Sequence, residues 1–439
     1  MSDTQAHSVA YVRDTMLPQQ PAPAGQSGAV QWLRENLFSG WLNTLLTLLG
    51  VALIYTLVMH FLPWFLHGVW DANSIKECRT IITDRYGEGA TGACWAVIRE
   101  RWHQFIFGFY PPELYWRPIL TFLLLFVAVG PLLFTWVPRV LAWFTPVYPF
   151  LAVWLLWGGS GWTPIMIFAG FVLGAAILLL LSPRLGSIMA FSIGALVAIL
   201  YFLFVVGPLI NGLQAILPWG LESVDSAKFG GFLLAITLGV GGIMMSLPLG
   251  IVLALGRQSD MPLVKGFSVV FIEFIRGVPL ITLLFVASLL LNYFLPPGTN
   301  FDIILRVMIL VTFFAAAYIA EVIRGGLAAL PRGQYEAADA LGLDYWKAQR
   351  LIILPQALKI SIPGIVSTFI GMFKDTTLVV FVGLFDPLKG IPDFIRADFN
   401  WKGIYWEPFI FVGAIFFILN FAMSRYSMSL ERRLQRDNH

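Results

Sequence analysis

Apolar runs of about 20 residues recur along most of this chain, each long enough to cross a hydrocarbon layer roughly 30 Å thick. Inside such a layer an unpaired backbone is too costly, so runs of this length settle as helices that satisfy their own N–H and C=O groups. Composition agrees. Of the 439 residues 58% are hydrophobic, only 12% are charged, and the mean hydropathy is +0.78. A soluble protein of this size needs far more charge on its surface. The expected fold class is all-α, a polytopic membrane helical bundle of about ten spans.

The candidate spans run about Leu42–Leu62, Ile119–Val137, Leu141–Trp157, Pro164–Leu181, Ile188–Ile210, Phe232–Leu255, Val278–Leu295, Ile303–Ile323, Ile360–Leu384 and Pro408–Met428. Only Gly158–Thr163 separates the third from the fourth, and the Trp and Pro there also fit a re-entrant piece. Lys and Arg of short loops stay on the cytoplasmic side. A cytoplasmic N-terminus then puts Arg139, Arg184, Arg257 with Lys265, Arg332, Lys347, Arg350 and the Arg432, Arg433, Arg436 tail inside. The outer side receives Gly158–Thr163, Asn211–Phe229, Pro296–Asp302, Phe385–Glu407 and a longer loop over residues 67–118. The loop Phe385–Glu407, with Lys389, Arg396 and Lys402, fits this arrangement least well. Both termini are expected in the cytoplasm.

Residues 1–30 hold Asp3, Arg13 and Asp14 and no apolar core, so they do not read as a signal peptide. Pro18–Gly28 has the composition of a disordered tail. Two membrane regions follow. Residues 31–225 hold five spans poor in polar residues, and residues 226–433 hold five more with nearly all the intramembrane charge. No internal repeat relates them.

The sharpest local signal is Glu336–Pro355. Gln334 to Leu341 is a run of good helix formers, and Gly342 can end it in the left-handed conformation that only Gly adopts cheaply. Trp346 to Leu354 then starts a second helix leading back to the membrane. The product is an exposed knob on the cytoplasmic face. An ordinary polar loop would match at Glu336, Ala337, Ala338, Gly342, Ile353, Leu354 and Pro355 only by rare accident.

In these residues the chain resembles the permeases of ABC importers, whose coupling loop corresponds to residues 331–355. Arg276–Leu280 (RGVPL), Ala317–Gly326 (AYIAEVIRGG), Gly333–Gly342 (GQYEAADALG), Ile353–Lys359 (ILPQALK) and Lys374–Leu378 (KDTTL) narrow the likeness to polar amino acid permeases. The longer N-terminal half is similar in layout to the M-type subunit of general L-amino acid importers. Departures fall at Val278 and Thr377, where such permeases often have Thr and Ser, and in the apolar run Ile281–Leu291, where they often carry Gln.

The resemblance implies a type I importer core of five spans within residues 226–433. It implies a permease subunit of an ATP-driven importer that carries polar or general L-amino acids across a bacterial inner membrane. Glu336, Ala337, Ala338, Gly342, Ile353, Leu354 and Pro355 would couple it to two ATPase subunits. A second, related permease chain and a periplasmic amino acid binding protein would complete the assembly. No cofactor is expected in this chain, since ATP and Mg would belong to the partner ATPase.

Charges inside the spans are costly and usually face a cavity or a partner. Lys374 and Asp375 lie deep in the ninth span. With Thr376 and Thr377 they read either as a polar lining of the substrate path or as an ion pair or cap at a helix break. Glu273 and Arg276, like Glu321 and Arg324, stand three apart and share a helix face, which favours structural pairs over substrate contact. Cys78 and Cys94 fall in the outer loop, where they are either bridged or two free thiols. The five His form no metal-ligand spacing, and no metal site is expected.

No G-x-x-x-x-G-K-[S/T] phosphate loop is present, so the chain itself is not expected to hydrolyse ATP or to be an enzyme. Basic residues do not cluster with aromatics as nucleic-acid readers do. The rival function is an ion-gradient-driven secondary amino acid transporter. Such folds often show two similar halves, and in one of them the knob would have no task.

Overall fold

The computed structural model describes residues 28–134, 136–290 and 302–436. Most of the tail expected over residues 1–30, the outer loop Pro296–Asp302 up to residue 301, and the end of the span Val278–Leu295 lie outside them. The fold is all-α apart from one antiparallel pair of two-residue strands, β1 (Gly159–Ser160) and β2 (Gly220–Leu221).

The helices in chain order begin with α1 (Ala29–Asn36), α2 (Trp41–Leu66), α3 (Ile75–Tyr86), α4 (Ala96–Phe107), α5 (Trp116–Leu133) and α6 (Tyr148–Trp157). There follow α7 (Trp162–Leu185), α8 (Ser187–Leu200), α9 (Val206–Ile216), α10 (Gly231–Gln258), α11 (Pro262–Gly277) and α12 (Leu280–Phe285). The last are α13 (Ile303–Ala328), α14 (Arg332–Ala340), α15 (Tyr345–Ala348), α16 (Leu354–Asp375), α17 (Pro387–Ala397) and α18 (Trp406–Arg436).

Eight helical stretches among the described residues are long and apolar enough to span a membrane, against the ten expected. The third expected span is reduced to α6, whose 10 residues reach only about 15 Å. Pro138 and Pro146 break the sequence before it, leaving Arg139–Trp143 as a 3-10 turn, and Gly158 ends it at φ 74°. The seventh is the short α12, continued by a π turn over Val286–Leu290. Helix α11 instead fills the expected loop between the sixth and seventh spans. It is amphipathic, burying Ser268, Ile272 and Ile275 and exposing Phe267, Val270 and Phe274. Lys265, Glu273 and Arg276 interrupt its apolar run, which is why hydropathy passes over it.

Two units are distinguished: residues 1–69 with 79–93, and residues 70–78 with 94–439. In the first, α2 is apolar all round and buries no residue, the pattern of a helix solvated by lipid tails.

In the second unit α10 runs along α13, α13 along α16, and α18 against α16. Lipid gives helices no hydrophobic reason to associate, so close backbone approach matters. A Cβ on Gly250 would stand 2.7 Å from the Ile319 side chain, and one on Gly326 would stand 2.6 Å from the Ala357 carbonyl oxygen. A single apolar cluster joins Phe107, Tyr110, Leu156 and Val224 to Leu233, Leu238, Val307 and Val379. The cluster thus draws residues from both sides of residue 225. Sequence separation hides such contacts: the Tyr110 hydroxyl donates to the Leu156 carbonyl at 2.8 Å although α5 lies between them in the chain.

In the second unit, residues 70–78 and 94–107 of the expected outer loop form a small lobe built on α4. Cys78 and Cys94 are joined by a disulfide with their Cα atoms 6.1 Å apart. The lobe grips the connection between α17 and α18. The Ile75 N–H donates to the Asn400 carbonyl at 2.8 Å, the Trp401 Nε1–H to Glu100 at 2.7 Å, and the Cys94 N–H to the buried Glu407 at 2.8 Å. Arg101 and Asp398 form an ion pair beside them. Sixteen positions separate the two cysteines, so replacing both with Ser should cost about 3 kcal/mol on the chain-entropy model. Protease sensitivity of the lobe, compared with and without reductant, measures this. Equal resistance of the variant and the oxidised protein would remove the bridge as a stabilising element.

Candidate functional site

The knob is built as its sequence dictates. Pro331 precedes α14, and Gly342 follows it with φ at 68°. Nothing lies within 4 Å of where a Gly342 Cβ would be, so the need for Gly is conformational rather than steric. Asp344 caps α15 through the Lys347 N–H at 2.9 Å, and that bond beside the Lys347 ammonium holds its carboxyl below the usual range. Beyond α15 a π turn over Gln349–Ile353 leads into α16, with Pro355 in its first turn.

Ala338 is 1% exposed and packs inside the chain, so of the two Ala residues only Ala337 faces outward beside Glu336. Glu336 sits mid-way along the 9-residue α14, beyond the first turn where the helix dipole would favour a carboxylate. Ile353 is likewise buried, Leu354 is half-buried and Pro355 is exposed. What the sequence reading missed is an apolar rim. Leu341, Tyr345, Trp346 and Leu351 are 72%, 51%, 64% and 63% exposed around Gly342. Large apolar side chains grouped in this way on a polar segment mark a contact surface.

Lys374 and Asp375 end α16, about 32 Å along the helix from Leu354. There the helix tightens into a 3-10 turn over Thr376–Val382. Lys374 is exposed and Asp375 half-buried. They form no ion pair with each other, and Asp375 makes no side-chain cap at the break. The Thr376 hydroxyl is buried and donates to the Phe373 carbonyl at 2.8 Å, and that of Thr377 donates to the Lys374 carbonyl at 2.9 Å. Both hydroxyls thus close the helix end, as is common for Thr in such segments, and the charged pair alone remains available to a path.

Near the knob end of the core the charges form one hub rather than two separate pairs. Glu321 on α13 accepts from Arg324 Nε at 2.7 Å and from Arg257 at 3.2 Å, with Arg276 at 3.7 Å. The expected Glu273–Arg276 pair is not made. Glu273 meets Arg257 of α10 at 2.9 Å, while the Arg276 guanidinium lies 5.5 Å over the Tyr318 ring. The i, i+3 spacing puts Glu273 and Arg276 on one face, but partners from neighbouring helices win both. The hub ties α10, α11 and α13 together.

At the opposite end of α16 lies a residue the sequence reading did not single out. Asp386 is fully buried and caps α17, accepting from the Leu388 and Lys389 N–H groups at 3.0 and 3.1 Å. Burial pushes its carboxyl up to about 6, against the pull of those N–H groups and of Lys389. The usual value is 3.8, so the native state binds the proton more tightly, and stability from this group is present in full below about pH 4 and lost as pH rises through 6. A change from 3.8 to about 6 corresponds to about 3 kcal/mol. Asp386→Asn keeps a good N-cap and removes the titration. It should raise thermal stability at pH 8 and flatten the pH dependence between 4 and 7. An unchanged slope would assign that dependence to other groups.

Among the described residues no group of three or more His, Cys, Asp or Glu could hold a metal.

Comparison with known proteins adds to this geometry. Residues 246–436 match the family model described as binding-protein-dependent transport system inner membrane component. The glutamate/glutamine/aspartate/asparagine transport system permease protein BztC of Rhodobacter capsulatus is 64% identical over 438 residues, covering 100% of each chain. This chain belongs to the amino acid ABC transporter permeases. The inner membrane amino-acid ABC transporter permease protein YhdY of Escherichia coli K12 is 39% identical over 420 residues, 95% of this permease and 96% of that one. A solved structure, described as an amino acid ABC transporter with histidines, is 31% identical to this permease. It covers 46% of the permease and 91% of its own chain, with a TM-score of 0.41. The permease is thus a multi-span membrane subunit of an amino acid transport complex.

Proposed function

We propose that this permease forms half of the translocation path of an ATP-driven importer for amino acids with acidic or amide side chains, working in a bacterial inner membrane. The substrate class follows that of BztC, which is 64% identical along the whole chain. The observation that carries the coupling is the knob. A Gly-terminated helix with an exposed apolar rim of Leu341, Tyr345, Trp346 and Leu351 stands at the end of the core to which α13 and α16 return. Two ATPase subunits, which bind ATP and Mg, would seat on that rim and push through Glu336, Ala337, Gly342 and Pro355. A related second permease and a periplasmic binding protein complete the proposed complex.

In this reading the knob and both termini face the cytoplasm, and the disulfide-bridged lobe faces the periplasm. Domain limits follow: residues 1–30 as a tail, 31–225 as an accessory membrane region with the outer loop 67–118, and 226–433 as the importer core with its coupling loop 331–355. Lys374 and Asp375 line or border the path, and the Glu321 hub braces it. The test is reconstitution of the co-purified complex in liposomes with labelled glutamate. Uptake that needs internal-face ATP and binding protein supports the reading. Uptake driven by an ion gradient without ATP would replace it with the secondary transporter.

A further inference from the structure

Arg425, Met428, Ser429, Arg432 and Arg433 line a groove of about 250 Å³ on the last helix, α18. None of these three Arg has an ion-pair partner among the described residues. They follow directly on the apolar stretch of the helix, so the first of them stands where that span leaves the hydrocarbon. At 100° per residue Arg425, Met428, Ser429 and Arg432 fall within about one third of the helix circumference.

The same face continues into the apolar part of α18. Phe417, Ile418 and Phe421 are 66%, 62% and 53% exposed there, and the Phe417 and Phe421 rings stack at 5.6 Å. The opposite face is the one that packs on the protein. Val412 is buried, Phe416 lies against Phe232 and Phe373, and the Tyr426 hydroxyl donates 2.8 Å to the Leu133 carbonyl. One uncovered face therefore presents an apolar strip just over one turn long that runs into a basic pocket, the two together covering about four turns.

We infer that this face binds an anionic phospholipid, with its acyl chain along Phe417, Ile418 and Phe421 and its phosphate against Arg425, Ser429 and Arg432. Guanidinium groups present paired N–H donors that match phosphate oxygens. Clusters of basic residues just outside a span are drawn to anionic headgroups at about 1 kcal/mol per residue. The continuity of the strip with the pocket selects a lipid over a free phosphate, which would use the pocket alone. A protein carboxylate would leave the apolar strip bare.

Native mass spectrometry of the full-length permease, purified with the subunits that travel with it, reads the number of bound lipids as phosphatidylglycerol or phosphatidylcholine is added. The wild type should retain phosphatidylglycerol in preference. R425Q/R432Q should bind it roughly 30-fold more weakly, the equivalent of about 1 kcal/mol for each Arg removed. R425K/R432K should recover most of the binding, and R139Q/R184Q, with the same charge change elsewhere, should behave as wild type. Both altered Arg are exposed, and gel filtration checks that the variants remain assembled. Equal retention by R425Q/R432Q overturns the site. Complete displacement of the lipid by excess inorganic phosphate overturns the lipid part in favour of a free anion. A photo-crosslinker at Ser429 that captures a protein subunit instead of lipid assigns the face to that subunit.

Discussion

Gly342→Val should leave the permease expressed and inserted while substrate and binding protein no longer stimulate ATP hydrolysis. Gly342 has φ at 68°, and a β-branched residue held there is strained by about 1–2 kcal/mol. That alone shifts a local equilibrium by a factor of roughly 5–30. Since no atom lies near the would-be Cβ, the protein interior does not clash and the spans are untouched. The strain is relieved only by redirecting the turn, which moves Leu341 and Tyr345 out of register with whatever they contact. Stimulated ATPase activity in proteoliposomes should fall about tenfold or more, beside a weaker pull-down of the ATPase. Ala337→Trp, on the outward face, should do the same by bulk. Ala338→Trp would instead disturb this chain's own packing and is the wrong probe. Full stimulation and uptake by both Gly342→Val and Ala337→Trp would exclude the knob as the coupling element.

Asp375→Asn should lower uptake about tenfold or more while assembly with the ATPase persists. The substitution keeps volume and removes charge. Asp375 is half-buried at the break between α16 and the following 3-10 turn, and it has no hydrogen-bond or ion-pair partner among the described residues. A carboxylate with no structural bond in the protein is a net loss to stability, so its value lies with what passes or moves beside it. Two outcomes separate the readings. A fall in uptake of about tenfold or more with unchanged or higher thermal stability supports a place on the path. Normal uptake would mean that the charge serves neither substrate nor gating.

The all-helical membrane class was readable because backbone satisfaction in lipid leaves few choices, and runs such as Phe232–Leu255 announce themselves. The left-handed turn at Gly342 was readable for a similar reason, since one residue type fits it cheaply. Other features depended on partners far away in sequence. Helix α11 is masked by Lys265, Glu273 and Arg276, which disrupt its hydropathy, although Glu273 is paired by Arg257 and Arg276 by Glu321 and the Tyr318 ring. Nothing local tells Glu273 to choose Arg257 over the nearer Arg276. Asp386 carries a weak sequence signal, as Asp before Pro387 is a good helix start, but its burial comes from α17 folding onto the core. The inward turn of Ala338 was also hidden, because an Ala reads alike whether it meets its own chain or another.

The grip of the lobe on the stretch from the end of α17 into the first turn of α18 has a mechanical consequence. The backbone bond from Ile75, the Trp401–Glu100 bond, the Arg101–Asp398 pair and the Glu407–Cys94 bond are four separate ties on one short segment. A segment tied at four points cannot swing independently of what holds it. When the core changes its opening at that end, the lobe must ride with it or the ties must break. The lobe is thus a built-in pointer, and under the proposed topology a dye placed on its surface would follow each opening of the core from the outer side.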